Sequence, residues 1–194
     1  MPDKILKSID NKSSKRIYPA SSLQRWFYEI HELHPELPSY NLSSISEFSG
    51  EIDIAVFKES LGILVERHES LRTNFVRRGG NIYQVIRAEP YSSLPVFNLT
   101  GSDNELATQK NIENIIKQNV DKPFDLENDN LLRTTLILKS TEDSRKKHYI
   151  FIATMHHIIA DNWSLNIFFQ DLFEIYYASI EKRAPNLPKI IKQY

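Results

Sequence analysis

Apolar side chains recur three or four positions apart in four segments of the chain, and each such stripe predicts a helix with one buried face. In the first helix the stripe comprises Leu23, Trp26, Phe27, Ile30 and Leu33. Serine or aspartate precedes the first two stripes, and its side chain accepts an orphan N–H of the first turn. The predicted helices begin at Ser21 or Ser22, at Asp53, at Asp103 or Asn104 and at about Ser164, and the last ends near Glu181.

The segments between these helices favour β-strands, because they are short, rich in β-branched and aromatic residues, and bounded by turn residues. Gly79 and Gly80 supply the positive φ angles that a tight hairpin turn requires. The segment from Tyr149 to Met155 is almost wholly apolar, which predicts a central strand covered on both faces. The predicted strands are 42–48, 72–76, 82–86, 94–99, 132–138 and 149–155, with an exposed hairpin connection over 140–147.

The order of these elements predicts the fold class. Adjacent strands recur without helices between them, which does not suit a regular parallel doubly wound sheet. The prediction is an α+β fold in which helices pack on a mixed β-sheet. Residues 1–18 are interpreted as a polar tail or linker, residues 19–183 as the folded unit, and residues 184–194 as an irregular, proline-containing segment.

Composition narrows the function. Hydrophobic residues make up 41% of the chain, enough for a sizeable core. The 24 basic and 25 acidic side chains give a net charge of -1, which argues against binding of nucleic acid or an anionic membrane. The chain has no cysteine, so a thiolate nucleophile and a cysteine-ligated zinc site are excluded. It has neither an apolar membrane span nor a secretory signal, so the expected location is the cytoplasm.

Residues 155–164, MHHIIADNWS, carry the strongest chemical signal, because an apolar strand ends there in two adjacent histidines. Neighbouring side chains of a strand point to opposite faces, so His156 and His157 cannot share one task. One is expected to face a cavity, and the other to be fixed in the interior. Asp161 follows on a short loop, where its charge could anchor the loop through a partner. Opposed histidines do not easily ligate one ion, so no metal site is predicted.

This segment resembles the HHxxxDG motif of nonribosomal peptide synthetase condensation domains, which belong to the chloramphenicol acetyltransferase-like acyltransferases. Residues 67–75, RHESLRTNF, match the family pattern RHExLRTxF at every defined place. Residues 21–28, SSLQRWFY, are similar to the opening pattern SxAQxRLW. Residues 123–126 and 131–133 are similar to the PFDL and PLLR stretch. The motifs follow one another in the family's order over residues 19–164, as in the N-terminal lobe of such a domain.

Three residues depart from the family patterns. Leu23 stands where alanine is usual, and Trp26 stands where arginine is usual. Trp26 leaves two interpretations open, an enlarged apolar helix face or an unusual subclass. Asn162 replaces the glycine of HHxxxDG and is expected in a left-handed or bridging conformation, since asparagine tolerates positive φ better than most residues.

The resemblance implies that His157, the second motif histidine, is the active-site residue. Its imidazole would either take a proton from the attacking amine or only position that amine. His156 is interpreted as structural, and Asp161 as one half of an ion pair. The partner implied for Asp161 is Arg72, with Arg67 as the second choice. Motif residues Asn162, Trp163 and Ser164 complete the predicted site, the last two as candidates for lining the substrate channel.

The resemblance also implies the reaction and its partners. A condensation domain joins an acyl or peptidyl thioester to an amine, each tethered to a carrier protein by phosphopantetheine, and forms an amide in natural-product biosynthesis. The expected partners are donor and acceptor carrier proteins and a C-terminal lobe, to which residues 184–194 would connect. No bound cofactor, metal, nucleic acid or membrane is expected.

Alternatives within the same fold are epimerisation, ester formation and small-molecule acyl transfer. A non-catalytic lobe that binds or docks carrier proteins is the alternative from a different class. The isolated lobe is expected to fold and to lack condensation activity. It is also expected to self-associate weakly through an exposed apolar surface.

Overall fold

The computed structural model describes residues 16–88, 93–100, 105–139 and 147–191. In chain order the elements are β1 (Arg16–Pro19), α1 (Ser22–Leu33), β2 (Asn41–Ser49), α2 (Ile54–Arg67), a 3-10 turn (Glu69–Arg72), β3 (Thr73–Arg78), β4 (Asn81–Ile86), β5 (Val96–Leu99), α3 (Glu105–Asp121), β6 (Leu132–Lys139), β7 (His148–His156) and α4 (Asn162–Ile180). The predicted order of helices and strands is confirmed, with β1 and the 3-10 turn added. The predicted start of the third helix and residues 140–146 of the predicted hairpin connection lie outside the described residues.

The strands form two sheets. The smaller is antiparallel with the order β1–β4–β3, and the larger is mixed with the order β2–β7–β6–β5. Strand β5 runs parallel to β6, whereas β7 runs antiparallel to both of its neighbours. Near the end of β7, Met155 lies between Leu42 of β2 and Leu132 of β6. Because β7 is paired on both edges, its C-terminal end is held firmly in the middle of the larger sheet.

Alternate side chains of β7 enter two different cores. Phe151 and Met155 face a large cluster that α2 and α4 build against the sheet. Ile150 and Ile152 face a smaller cluster under α3. Phe57 of α2 meets Phe151 edge to face, with 5.2 Å between ring centroids. Both faces of β7 are therefore covered, which confirms its predicted central position.

Helix α1 buries a different face from the one its apolar pattern predicts. Its buried residues are Gln24, Phe27 and Tyr28, whereas Leu33 is 71% exposed. A reciprocal cap engages the buried Gln24: the Ser21 hydroxyl accepts the Gln24 N–H at 3.2 Å, and the Gln24 side-chain carbonyl accepts the Ser21 N–H at 2.8 Å. Phe27 and Tyr28, one turn after Gln24, lie on the same buried face.

Both predicted boundaries of the folded unit shift in the structure. Residues 16–18, interpreted as part of the polar tail, belong to β1 and pair with β4; residues 1–15 lie outside the described residues. Beyond α4, Leu187 packs against the large core, and Arg67 donates to the Pro188 carbonyl at 2.5 Å. Residues 184–191 therefore contact the folded unit. Their predicted connection to a second lobe stays a prediction.

Candidate active site

The first motif histidine is an interior residue. His156 is the last residue of β7 and is 2% exposed. Its Nδ1 accepts the backbone N–H of Ile158 at 3.1 Å, which requires a neutral nitrogen there. Burial is the main cause that lowers the pKa of His156 to about 3, and the imidazoles of His31 and His157 act in the same direction. The His156 ring is therefore neutral at physiological pH.

The second motif histidine lies just beyond the strand and is half-buried. The backbone N–H of His157 donates to the carbonyl of Tyr40 at 2.8 Å. Its ring stacks on that of Phe27, with 5.0 Å between centroids and 21° between planes. The rest of the imidazole lines an open cavity of about 320 Å³. The expectation that one histidine faces a cavity while the other is fixed in the interior is confirmed.

The cavity lies between the start of α1, the 3-10 turn and the segment 157–161 that leads into α4. Apolar side chains form part of its wall, including Leu23, Phe27 and Ile158. Its polar groups, apart from His157, are contributed by Ser21, Gln24, Ser70, Asp161 and Ser164. A smaller cavity of about 130 Å³ adjoins it and shares Ser70, Ala160 and Ser164 as lining residues.

Asp161 is an exposed helix cap rather than half of an ion pair. Its Oδ1 accepts the Ser164 backbone N–H at 2.7 Å and the Ser164 hydroxyl at 2.6 Å. The hydroxyl, followed by the backbone N–H, lowers the pKa of the Asp161 carboxyl. The predicted pairing with Arg72 or Arg67 is wrong. The first turn of α4 offers donors directly beside the carboxylate, which makes a distant cation unnecessary.

Arg72 extends its side chain toward the smaller sheet. The guanidinium donates to the carbonyl of Arg87, and it lies 3.5 Å from a carboxylate oxygen of Glu69. Its Nε is buried and has no hydrogen-bond partner among the described residues. Arg72 therefore links the 3-10 turn to the end of β4, and its structural task differs from the one implied by the resemblance.

Arg67 binds a carboxylate that sequence reasoning missed. Its Nε donates to Oδ2 of Asp171 at 3.0 Å, and Nε2 of His68 lies 2.8 Å from the same oxygen. Asp171 is buried on the inward face of α4, between Phe168 and Leu172. An acidic residue inside an apolar stripe was the available signal, because a buried carboxylate requires a charged partner. This cluster ties the C-terminal end of α2 to α4.

The remaining motif residues lie in the first turn of α4. Asn162 is the first helical residue, and Lys182 is the non-glycine residue with positive φ among the described residues. The expected left-handed conformation of Asn162 is wrong, because the cap at Asp161 starts the helix at this residue. Trp163 is 74% exposed and is not among the residues that line the cavity, whereas Ser164 is.

Within the described ranges, no group of three or more histidine, aspartate or glutamate side chains is placed to hold a metal ion. The same residues include no helix that is both long and apolar enough to cross a bilayer.

The sequence model of the condensation domain matches residues 14–194, nearly the whole chain. The chain belongs to the condensation-domain family. This condensation-domain chain is 37% identical over 172 residues to surfactin synthase subunit 2 of Bacillus subtilis (strain 168), covering 89% of the chain and 4% of that protein. It is 34% identical over 187 residues to bacitracin synthase 3 of Bacillus licheniformis, covering 96% of the chain and 3% of that protein. The chain thus spans a small part of these long synthetases.

Solved structures show the same fold. The starter condensation domain of rhizomide synthetase RzmA superimposes with a TM-score of 0.78 at 24% identity, covering 89% of this chain and 40% of that one. The complex of the X-domain and OxyB from teicoplanin biosynthesis includes a chain with a TM-score of 0.75 at 25% identity, covering 90% of this chain and 35% of that one. The predicted fold class is confirmed. The condensation-domain chain spans less than half the length of these solved chains.

Proposed function

We propose that this chain is the first lobe of a condensation domain that joins a carrier-bound acyl or peptidyl thioester to a carrier-bound amine. His157 is the active-site residue of this proposal. The supporting observation is the separation at the end of β7: the His157 ring reaches an open cavity, while His156 is withdrawn and neutral. The family membership supports the reaction class.

The proposed reaction replaces the C–S bond of a thioester by the C–N bond of an amide, and it moves one proton away from the amine. The amine nitrogen attacks the thioester carbonyl, the C–N bond forms, and the C–S bond breaks to release the carrier thiol. The amine gives up a proton, which a neutral imidazole accepts and passes to the departing thiolate, or which reaches that thiolate directly while the imidazole orients the amine by a hydrogen bond. The two tethered reactants meet in one cavity, which makes the reaction effectively intramolecular. A volume of about 320 Å³ falls within the range of small-molecule sites.

Asp161 and Ser164 support this site indirectly in the proposal. Oδ1 of Asp161 is occupied by two donors of Ser164, so the carboxylate holds the first turn of α4 in place. Both residues line the same cavity as His157. We assign them the task of fixing the cavity wall, and we assign the proton transfer or amine orientation to His157.

The proposed partners are donor and acceptor carrier proteins, which present phosphopantetheine arms, and the remainder of the domain. Support comes from the solved relatives, in which the matched part is 40% of the RzmA chain. Leu23 and Trp163 expose 59% and 74% of their surface beside the cavity and the first turn of α4. Such apolar surface suits contact with further protein.

A non-catalytic binding role is the second candidate function. One structural relative is the X-domain, which was solved in complex with OxyB, another protein of teicoplanin biosynthesis. A chain that contains this fold therefore occurs in a complex of two proteins. In this second candidate, the cavity beside His157 would not support turnover.

The test uses the synthetase polypeptide that carries this sequence, with His157→Gln and wild type compared. Aminoacyl thioesters loaded on purified donor and acceptor carrier proteins are the probes, and intact-protein mass spectrometry detects the amide product. We expect a loss of product formation of about 100-fold or more, the scale of general base catalysis. The control is His148→Gln at the opposite end of β7, where the ring contacts Ser49 and Glu47.

Three outcomes would contradict the proposal. Near wild-type turnover in His157→Gln would remove His157 from the chemistry. Wild-type protein that binds both carriers but forms no product would favour the non-catalytic candidate. Equal losses in His157→Gln and in His148→Gln would point to general destabilisation and would also overturn the assignment.

A further inference from the structure

One aromatic side chain stacks on the His157 ring, and two more pack against that aromatic side chain. Phe27 stacks on the imidazole at a centroid distance of 5.0 Å. Trp26 and Tyr40 each meet Phe27 edge to face, at 5.0 Å and 5.3 Å. Trp26 and Tyr40 also meet each other at 6.0 Å. We call Trp26, Phe27 and Tyr40 the aromatic cluster.

The aromatic cluster holds His157 through both its backbone and its ring. The Tyr40 carbonyl accepts the His157 N–H at 2.8 Å, which fixes the residue at the end of β7. Phe27 is 6% exposed and belongs to a buried cluster with Phe75 and Ile158, so its ring is enclosed by other side chains. The imidazole therefore stacks on a ring that is itself packed in the core.

We propose that the aromatic cluster is a positioning device for His157, with Phe27 as its principal positioning residue; this inference rests on the function proposed above. The terminal torsion of a histidine side chain is broad, so a half-buried ring at a strand end would sample several orientations. A stacked neighbour restricts the imidazole to one plane and presents one edge to the cavity. Correct orientation matters because small displacements of a reacting group lower the rate strongly.

Trp26 extends the aromatic cluster to the surface of the protein. Its side chain is 46% exposed, and its ring meets Phe27 edge to face at 5.0 Å. The residue that departs from the opening pattern therefore packs against the ring that stacks on His157.

The competing explanation is that Phe27 simply fills the core. Phe124 provides a matched control, because it belongs to the same buried cluster and is also nearly inaccessible. Its ring meets His156 edge to face at 6.3 Å. Phe27→Leu and Phe124→Leu remove similar rings from the same core, but only the first removes a ring stacked on His157.

The first readout is the NMR spectrum of the full chain, which reports ring orientation without needing activity. The carbon-bound imidazole protons of His157, assigned from their loss in His157→Gln, are expected to show the ring-current shift of a stacked neighbour. Phe27→Leu should abolish this shift, Phe27→Tyr should retain it, and Phe124→Leu should leave it unchanged. A His157 signal that does not respond to Phe27→Leu would overturn the inference.

The second readout is the condensation assay on the synthetase that carries this sequence. Phe27→Leu is expected to lower kcat about tenfold with little change in KM, because orientation is lost while substrate binding remains. Phe27→Tyr should restore most of kcat, and Phe124→Leu should lower the melting temperature without lowering kcat. Equal kcat losses in Phe27→Leu and Phe124→Leu would show that Phe27 only fills the core, and would overturn its assignment as a positioning residue. Activity retained in His157→Gln would instead overturn the proposed function, which separates the two failures.

Discussion

His156 and His157 are neighbours in sequence but lie in opposite environments. His156 ends a strand that is paired on both edges, and its ring is enclosed by side chains of the core. His157 is one residue further on, past the pairing of the sheet, and its ring reaches the cavity. The end of the strand thus separates a fixed neutral ring from an accessible one by a single step along the chain.

Asp171 of α4 and Asp161, which caps this helix, also lie in opposite environments. Asp171 is buried and accepts from Arg67, with the His68 ring close to the same oxygen. Asp161 is exposed and accepts from the first turn of the helix that it caps. The buried carboxylate joins two helices, whereas the exposed one only begins a helix. The inward face of α4 is therefore held by polar contacts to residues distant in sequence, and the start of α4 beside the cavity is held by contacts to residues nearby in sequence.

The largest expected effect is acid sensitivity caused by His156. The unfolded chain titrates this imidazole near pH 6.5, and the folded chain near pH 3. Between about pH 6 and pH 3 the unfolded state therefore binds one more proton, so stability falls as the pH falls. The free energy of unfolding should drop by about 1.4 kcal/mol per pH unit from this group.

Urea unfolding at several pH values measures that slope. His156→Asn keeps an acceptor near the Ile158 N–H but cannot titrate. Between about pH 6 and pH 3, its free energy of unfolding should therefore fall less steeply with decreasing pH, by the amount that corresponds to about one proton. His34→Asn is the control, because the His34 side chain is 65% exposed. An unchanged slope in His156→Asn would contradict the interior, neutral assignment of this ring.

A smaller effect is expected at Asp161. Asp161→Ala removes a helix cap and should lower the free energy of unfolding by about 1 kcal/mol. Asp161→Ser should retain most of this stabilisation, because serine also caps helices. Asp53→Ala is the matched control, since Asp53 caps α2 through the N–H groups of Ala55 and Val56. Both alanine variants should lose similar stability, but only the one at Asp161 should alter the cavity wall and lower turnover.

A double-mutant cycle tests the corrected partner of Asp161. Because Arg72 donates to the Arg87 carbonyl instead, Asp161→Ala and Arg72→Ala should add to within about 0.5 kcal/mol. A coupling well above this value would restore the ion pair that the resemblance implied.

The smallest effect is expected at Asn162. As the first residue of α4, Asn162 has helical φ and an N–H that no helical turn uses, so Asn162→Pro should change stability by less than about 0.5 kcal/mol. Asp161 before it is extended, as a residue preceding proline should be. Lys182→Pro is the contrasting control, because φ at Lys182 is 55°; it should lose more than about 1 kcal/mol. Equal losses would contradict the helical assignment of Asn162.

Much of the fold follows from patterns that one element carries alone. The apolar run of β7 predicted a strand covered on both faces, because such a run has no solvent side. The separation of His156 from His157 was predicted from the alternation of a strand, whereas in the structure the strand ends at His156 and His157 lies in the turn that follows. The partners of Arg72 and Asp161 were not predictable in this way, since they depend on which groups the folded chain brings within reach. Asn162 was misjudged because the helix begins two residues before its predicted start.

The most direct test of the account is site-resolved modification of the two histidines by diethyl pyrocarbonate, which acylates accessible neutral imidazoles. Tandem mass spectrometry distinguishes His156 from His157 within one peptide, and turnover of the synthetase is followed in parallel. We expect His157 to be modified in the folded protein, turnover to fall in step with it, and His156 to react only after unfolding. Modification of His156 as fast as His157, or full turnover with His157 completely modified, would contradict the account.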